Sequence, residues 1–169
     1  MEELFPLMDE QGNVIGKATR SECHGGTFWL HPVVHLHVLN SAGELFLQKR
    51  AMNKDTQPGK WDTSVGGHVS YGETVEQALH REVFEEIGIQ EFQPVFVHRY
   101  VWQSLVEKEL VNMFYTIYDG SFEIDHEEIE TARFWNIHEI QQQLGKEFFT
   151  PNFEQDFQLL LEKLRKQEN

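Results

Sequence analysis

The chain has few of the features that mark secreted, membrane-spanning or disulfide-stabilised proteins. Its single cysteine, Cys23, rules out an internal disulfide and is typical of a reducing compartment. No apolar run approaches the length of a membrane-spanning helix. The first residues have neither the basic start nor the apolar stretch of a secretory signal. These absences predict a soluble, cytoplasmic protein without a membrane partner.

Positive charge is also scarce. The chain carries 14 lysines and arginines against 28 aspartates and glutamates, a formal net charge of −14. Such a field repels the phosphate backbone of DNA and RNA, so a nucleic-acid polymer is excluded as a partner. The same field would repel a small phosphorylated substrate, unless cations reverse the sign of the charge inside a pocket.

The 169 residues show no repeat, no low-complexity segment and no Pro/Gly/Ser-rich linker, which indicates a single domain. Segments with strand patterns alternate with a few helical ones, and this order predicts an α/β (α+β) fold. The predicted strands are Leu4–Met8, Val14–Ala18, Val33–Leu39, Glu44–Gln48, Val95–Gln103, Leu110–Tyr118 and Arg133–Asn136. The predicted helices are Thr74–Ile87, Ile137–Leu144 and Phe153–Lys166.

The most informative segment is the helix that begins near Thr74, directly after a glycine-rich loop. At about 100° per residue, Glu82 and Glu86 lie within roughly 20° of Val75, inside the apolar stripe of this helix. Glu85 lies at the adjoining edge. Inward-facing carboxylates are costly unless they are protonated, paired or bound to a cation, and such oxygens suit Mg²⁺ or Mn²⁺. A surface helix held by ion pairs is the alternative, but it explains neither the glycines nor the inward direction.

The same segment resembles the Nudix box at every defined position. The matching residues are Gly67, Glu73, Arg81, Glu82, Val83, Glu85, Glu86, Gly88 and Ile89. The resemblance implies a Nudix fold, a mixed β-sheet sandwiched between α-helices. We expect residues 1–31 to form an N-terminal hairpin and lead-in, and residues 32–164 to form the Nudix hydrolase domain, the two together making one structural domain.

The resemblance also implies an activity and the residues that carry it. We expect a pyrophosphohydrolase that depends on Mg²⁺ or Mn²⁺ and cleaves a nucleoside diphosphate linked to another moiety, or a similar small diphosphate. The metal ligands would be Glu82, Glu85, Glu86 and the backbone carbonyl of Gly67. Glu85 and Glu86 would be catalytic, with Glu85 as the general base and Glu109 as the alternative base. An ion pair between Glu73 and Arg81 would support the helix.

The region before the box resembles the type 1 isopentenyl-diphosphate isomerases and their hydrolase relatives. The similarity runs through Gln48–Ala51, Lys54 and Pro58–His68. It implies that Arg50 and Lys54 bind the diphosphate, although they could instead be ordinary surface charges. It also implies a second metal site, for which ordinary structural roles are the alternative. The residues of this second site would be His24, His31, His68, Glu107 and Glu109.

Two departures from the isomerases favour hydrolysis. The catalytic cysteine of the isomerases falls at Gly66 here, and the acidic box that they largely lack is retained. Isomerase-like activity and a non-catalytic nucleotide-binding sensor remain the alternatives. His35 and His37 share a strand face, where we expect them to be partly buried and hydrogen-bonded. A homodimer is compatible with exposed aromatic residues, expected at Trp29, Trp102, Phe148 and Phe149.

Overall fold

The computed structural model describes residues 1–168, which form nine strands and four helices. The strands are β1 Leu4–Met8, β2 Val14–Thr19, β3 Leu30–Leu39, β4 Leu45–Arg50, β5 Trp61–Asp62, β6 Val65–His68, β7 Val95–Gln103, β8 Lys108–Ile117 and β9 Ile129–Trp135. The helices are α1 Arg20–His24, α2 Val75–Ile87, α3 Ile137–Gln143 and α4 Pro151–Glu168.

Strand β3 is the centre of a seven-stranded sheet in the order β5-β4-β3-β8-β7, with β6 paired to β3 and β9 paired to β4. The β3–β8 pair is parallel and the other pairs are antiparallel. Strands β1 and β2 form a separate hairpin. The sheet is therefore mixed, as the sequence predicts.

The two faces of β3 bury different helices, because successive side chains of a strand point to opposite sides. Val34, Leu36 and Val38 pack in a core shared with α2. Val33 and Leu39 pack in a second core with α3 and α4. This arrangement confirms the predicted sheet between helices.

Helix α2 begins and ends where its sequence predicts. The Thr74 hydroxyl accepts a hydrogen bond from the Gln77 amide and forms a capping box with it. Gly88 ends the helix in a left-handed conformation with φ of 74°, which glycine adopts without steric cost. The helix buries Ala78, Leu79, Val83 and Ile87.

Several element boundaries differ from the prediction. Strand β4 ends at Arg50 rather than at the predicted Gln48, because its pairing with β9 extends to Arg50. Strand β3 begins at Leu30, since its parallel pairing with β8 extends to that residue. Helix α1 was not predicted, although its capping box between Thr19 and Glu22 is visible in the sequence.

The N-terminal hairpin packs against the main sheet through its apolar side. Phe5 is fully buried with Ala18 and Cys23 in a small core. Its ring stacks on His68, with a centroid distance of 4.5 Å and an interplanar angle of 3°. The hairpin therefore forms one wall of the region around His68.

The expected surface aromatics are only partly at the surface. Trp29 and Phe148 are exposed and Trp102 is half-buried. The expectation is wrong for Phe149, which is 1% exposed because it packs edge-on against Trp135. In the described residues, no helix is long and apolar enough to cross a membrane.

A buried polar cluster joins the sheet to α4. Asp156 is fully buried, and its Oδ2 atom lies 2.7 Å from His35 Nδ1 and 2.9 Å from His37 Nε2. The Tyr100 hydroxyl donates a hydrogen bond to Oδ1 of the same carboxylate. The two histidines are more deeply buried than the sequence predicts, and their hydrogen bonding is confirmed. Asp156 lies on the apolar face of α4, with Phe153, Phe157 and Leu160.

Burial and pairing act against each other on these groups. Burial lowers the pKa of His35, but the Asp156 carboxylate outweighs this effect and raises that pKa to about 9. Burial raises the pKa of Asp156, and the His35 charge with the two histidine hydrogen bonds brings it below the ordinary range. Asp62 and Glu109 add negative charge near His35.

This network predicts that the effect of His35→Gln on stability depends on pH. A histidine whose pKa is higher in the folded protein stabilises the fold when it is protonated. This stabilisation is complete below the pKa of the unfolded chain, about 6.5, and is lost as pH rises through the folded pKa of about 9. At pH 6 we expect the substitution to lower the free energy of unfolding by about 3 kcal/mol. The loss should shrink by pH 9.5, as measured by urea denaturation. The Asp156 carboxylate is ionised at both pH values, because its pKa is lowered and stability is lost only when acid protonates it. Its own contribution to stability is therefore the same at pH 6 and pH 9.5.

The exposed His138 supplies the control. His138→Gln should show the same small effect at both pH values. A His35→Gln deficit that is equally large at pH 6 and pH 9.5 would contradict a charged His35–Asp156 pair.

Candidate functional site

Helix α2 turns two box glutamates toward the sheet and leaves the third outside. The side chains of Glu82 and Glu85 are 16% and 56% exposed, respectively. Glu86 accepts a hydrogen bond from Gln48 Nε2 at 3.0 Å. Burial raises the pKa of Glu86 well above its ordinary value, and the neighbouring Glu82 carboxylate adds to this shift. Ionisation of Glu86 beside Glu82 is therefore costly without a cation.

Gly67 makes room for this pair. A Cβ atom at this position would lie 2.2 Å from the carboxyl carbon of Glu82. Only a residue without a side chain lets Glu82 approach strand β6 this closely. Gly67 therefore lies beside Glu82, with which it is predicted to bind a metal ion.

Arg81 ties the loop before α2 to the helix. Its guanidinium donates to both carboxylate oxygens of Glu73, at 2.8 and 2.9 Å. It also donates to Glu82 at 2.7 Å and to the carbonyl of His68 at 3.0 Å. Glu85 lies 3.3 Å away on the outer side. One side chain therefore fixes the direction of Glu82 relative to β6.

Four of the five residues of the expected second metal site come together. Ligand atoms of His24, His31, His68 and Glu107 all lie within 4.8 Å of one another. Glu107 Oε2 is 2.7 Å from His24 Nε2 and 3.2 Å from His31 Nε2. His31 Nδ1 lies 2.9 Å from the carbonyl of Trp29, which leaves Nε2 directed at the cluster.

Glu109 lies beside this group rather than in it. It is opposite His31 in the parallel register of β3 and β8, so both side chains share a sheet face. Burial raises the pKa of Glu109, and the charge of Glu107 raises it further. Burial also acts on Glu107, but its hydrogen bond with His31 and the nearby histidine charges bring its pKa below the ordinary range.

Arg50 and Lys54 are both engaged within the protein. The Arg50 guanidinium lies 3.1 Å from the carbonyl of Thr56 and 3.4 Å from Asp62 Oδ2. Lys54 forms an ion pair with Glu128. Arg50 ends β4 and Lys54 lies on the loop after it, and a substrate would have to compete with these partners for both cations.

Two residues of this region have contacts at the site although the sequence predicts no site role for them. Gln48 donates both to the carbonyl of Ser64 and to Glu86, so it positions the carboxylate from the neighbouring strand. Asp62 accepts from Thr150 Oγ1 at 2.9 Å and pairs with Arg50. Both residues lie within the stretches that resemble the isomerases, but that resemblance implied a role for neither of them.

The comparisons with known proteins agree with this geometry. The NUDIX domain model matches residues 29–157. The chain belongs to the Nudix family. It is 31% identical over 157 residues to an isopentenyl-diphosphate Delta-isomerase of Pectobacterium atrosepticum, covering 89% of this chain and 87% of that one.

Two further similarities show the range within the family. An isopentenyl-diphosphate Delta-isomerase of Corynebacterium diphtheriae is 44% identical over 89 residues, which is 53% of this chain. The chain thus spans about half of that relative, 49% of its length. The structure of a MutT protein from Methanosarcina mazei superimposes with a TM-score of 0.66 at 25% identity, covering 79% of this chain and 95% of that one. The Nudix fold is therefore confirmed.

The donor sets fit divalent cations. Glu82 and Glu86 offer hard oxygens beside a glycine whose missing side chain leaves them room. The second cluster offers three imidazoles and one carboxylate, a mixed nitrogen and oxygen set that suits transition metals such as Mn²⁺ or Zn²⁺. Both sets lie at strand β6, one beside Gly67 and the other at His68.

The two adjacent glycines of β6 provide a matched test of this packing. Gly67→Ala places a methyl group against the carboxylate of Glu82, which Arg81 holds, so we expect a loss of about 1–3 kcal/mol in the free energy of unfolding. At Gly66 the added Cβ would make only an ordinary 3.5 Å contact with the His35 ring. Gly66→Ala should therefore unfold at nearly the wild-type urea concentration. Equal stability of the two variants would contradict the close approach of Glu82 to Gly67.

Proposed function

We propose that this protein is a metal-dependent pyrophosphohydrolase acting on a nucleoside diphosphate linked to another moiety, or on a similar small diphosphate. The observation that carries the proposal is the inward pair Glu82 and Glu86 beside Gly67, in a chain with glycine at the position of the isomerase cysteine. Glu82, Glu86 and the Gly67 carbonyl would hold Mg²⁺ or Mn²⁺, with Glu85 at the outer edge. The ion supplies charge neutralisation and a bound water of lowered pKa.

The protein's own groups would orient the reaction around this site. Arg81 holds Glu82 in place and links it to the loop at His68. Gln48 holds Glu86 through a neutral amide, which leaves the carboxylate charge uncompensated. Glu85, at 56% exposure, is accessible to accept a proton from water and is our proposed general base. Glu109 is the alternative base, because burial raises its pKa and so strengthens it as a proton acceptor.

The charges of Arg50 and Lys54 would contact the diphosphate once released from their present partners. Both pairs are partly exposed, so exchanging an internal carboxylate for a phosphate oxygen costs little. The cluster of three histidines with Glu107 would hold a second cation close to the same end of β6.

The assignment predicts a large loss of turnover in two box variants. Glu86→Gln and Glu82→Gln keep the side-chain size but remove the charge that a cation needs, so kcat should fall 100-fold or more. Turnover would be measured by chromatography of the two phosphorylated products, with Mg²⁺ and with Mn²⁺, across nucleoside di- and triphosphates, dinucleotides, sugar nucleotides and coenzyme A. Addition of EDTA should abolish turnover.

Glu76→Gln is the matched control, because Glu76 is exposed in the first turn of the same helix. It should retain wild-type turnover. Near-wild-type rates for both box variants would refute the assignment of the site. Absence of turnover on every compound, combined with micromolar nucleotide binding without metal, would favour the sensor alternative.

Isomerase activity is the second candidate, favoured by the His24, His31, His68 and Glu107 cluster and by the similarity to the isomerases. Its proton-transfer thiol has no counterpart at Gly66. Burial raises the pKa of Cys23 to about 11, with a further contribution from Glu22, so this residue is no substitute.

We therefore expect no double-bond migration when isopentenyl diphosphate is incubated with the protein and Mg²⁺ or Mn²⁺. Proton NMR of the reaction would show the vinylic signals unchanged over hours, since no thiol is in place to move a proton. A parallel incubation with an authentic isomerase is the positive control. Formation of the dimethylallyl isomer at enzymatic rates would reverse the order of the two proposals.

A further inference from the structure

The His35–Asp156 pair has a second feature besides its burial. The edge of the His35 imidazole faces Gly66, where an added Cβ would lie 3.5 Å from Cδ2 and 3.9 Å from Nε2. Gly66 itself is exposed. The imidazole edge that carries Nε2 therefore faces the exposed side of Gly66, where the missing side chain leaves a gap the size of a methyl group, at the position where the resemblance places the isomerase's catalytic cysteine.

The two histidines that contact Asp156 differ in what their second ring nitrogen faces. Both rings contact the same oxygen of Asp156. His37 is fully buried and its Nδ1 atom has no partner among the described residues. A proton there would be an unsatisfied buried donor, so the His37 ring offers a ligand nothing beyond its Nε2 contact with Asp156. His35 can carry the proton on both nitrogens, because Nδ1 is bonded to Asp156 and Nε2 lies at the gap.

We propose that the His35 imidazolium binds a phosphate oxygen of the substrate through Nε2–H, in the gap left by Gly66. Asp156 and Tyr100 act as positioning residues, since they hold the ring from behind. This proposal deepens the hydrolase proposal and rests on it for the chemical class of the ligand.

The electrostatics of the region support this role. The chain has a net charge of −14, and Arg50 and Lys54 are already paired with acidic side chains. His35 is also paired, but its imidazole has a second donor that its partner does not use. The raised pKa of His35, about 9, keeps that donor charged at neutral pH. A charged donor to phosphate forms a hydrogen bond stronger than a neutral one.

The test uses methylenediphosphonate, the non-hydrolysable analogue of pyrophosphate, titrated calorimetrically in Mg²⁺ buffer at pH 7. His35→Gln removes the charged donor, and Gly66→Ala fills the gap with a methyl group while leaving the His35–Asp156 pair in place. We expect each substitution to raise Kd tenfold or more. His37→Gln is the matched control, because His37 contacts the same Asp156 carboxylate as His35 and is similarly buried but does not face Gly66. Its Kd should stay within twofold of wild type.

A second readout separates contact from general structural damage. In protein labelled with ¹⁵N-histidine, the ligand should shift the Nε2 signal of His35 and leave that of His37 in place. The backbone of Gly66 is not left-handed, so alanine can replace it without strain. The Kd of Gly66→Ala therefore tests the proposal even if His35→Gln fails to fold.

Three outcomes would overturn the proposal: no binding of the analogue by the wild type, unchanged Kd in Gly66→Ala, or an equal loss in His37→Gln. Failure of the hydrolase proposal is distinguishable from these. A protein that hydrolyses no diphosphate but binds the analogue through His35 loses only the hydrolase assignment. A protein that hydrolyses diphosphates with an unchanged KM in folded His35→Gln loses only the His35 proposal.

Discussion

The structure depends on how it compensates carboxylates that are removed from water. Asp156 is stabilised by two histidines and a tyrosine, so its pKa lies below the ordinary range. Glu107 is stabilised by His24 and His31. Glu86 receives one neutral amide hydrogen bond from Gln48, and burial leaves its pKa raised. The cost of removing a carboxylate from water is thus met in two ways. Asp156 is paired with histidines and stabilises the fold, whereas Glu86 has no cationic partner and remains available to a metal ion.

Strand β6 brings these differently compensated groups to one place. Gly66 and Gly67 are adjacent, so their missing side chains lie on opposite faces of the strand. The Gly67 face admits Glu82 from α2, and the Gly66 face lies against His35 of β3. His68 follows on the Gly66 side, where it meets the histidine cluster and the ring of Phe5. A diphosphate at this strand would meet oxygen ligands on one side and imidazoles on the other.

The sequence predicts the parts of this site that depend on local periodicity. The apolar stripe of α2 gives the direction of Glu82 and Glu86, because helix geometry alone relates those residues to Val75. The alternation of β3 places His35 and His37 on one face. It does not identify their partner, since Asp156 is more than a hundred residues away and is brought to them by the packing of α4. An acidic residue between Phe153 and Phe157 on an apolar helix face was the available signal.

Register explains most of the other differences. His31 and Glu109 become neighbours only because β3 and β8 pair in parallel from Leu30 and Lys108 onward. The hydrophobic pattern of either strand alone begins later, at Val33 and at Leu110, so the bounds predicted for the two strands leave out His31 and Glu109. The histidine cluster with Glu107 lies at these strand ends. His31 is fully buried at this end of β3, so the cluster lies inside the protein although its residues are polar.

The position of the lone cysteine bears on the choice between hydrolysis and isomerisation. Cys23 lies in α1 beneath Phe5, fully buried in the small core of the N-terminal hairpin. With a pKa of about 11, only roughly one molecule in ten thousand would carry the thiolate at pH 7. Gly66 meanwhile gives His35 access to the position that a thiol would otherwise fill. The chain therefore combines an isomerase-like imidazole cluster with hydrolase-like carboxylates, and the glycine between them favours charge stabilisation over proton transfer by sulfur.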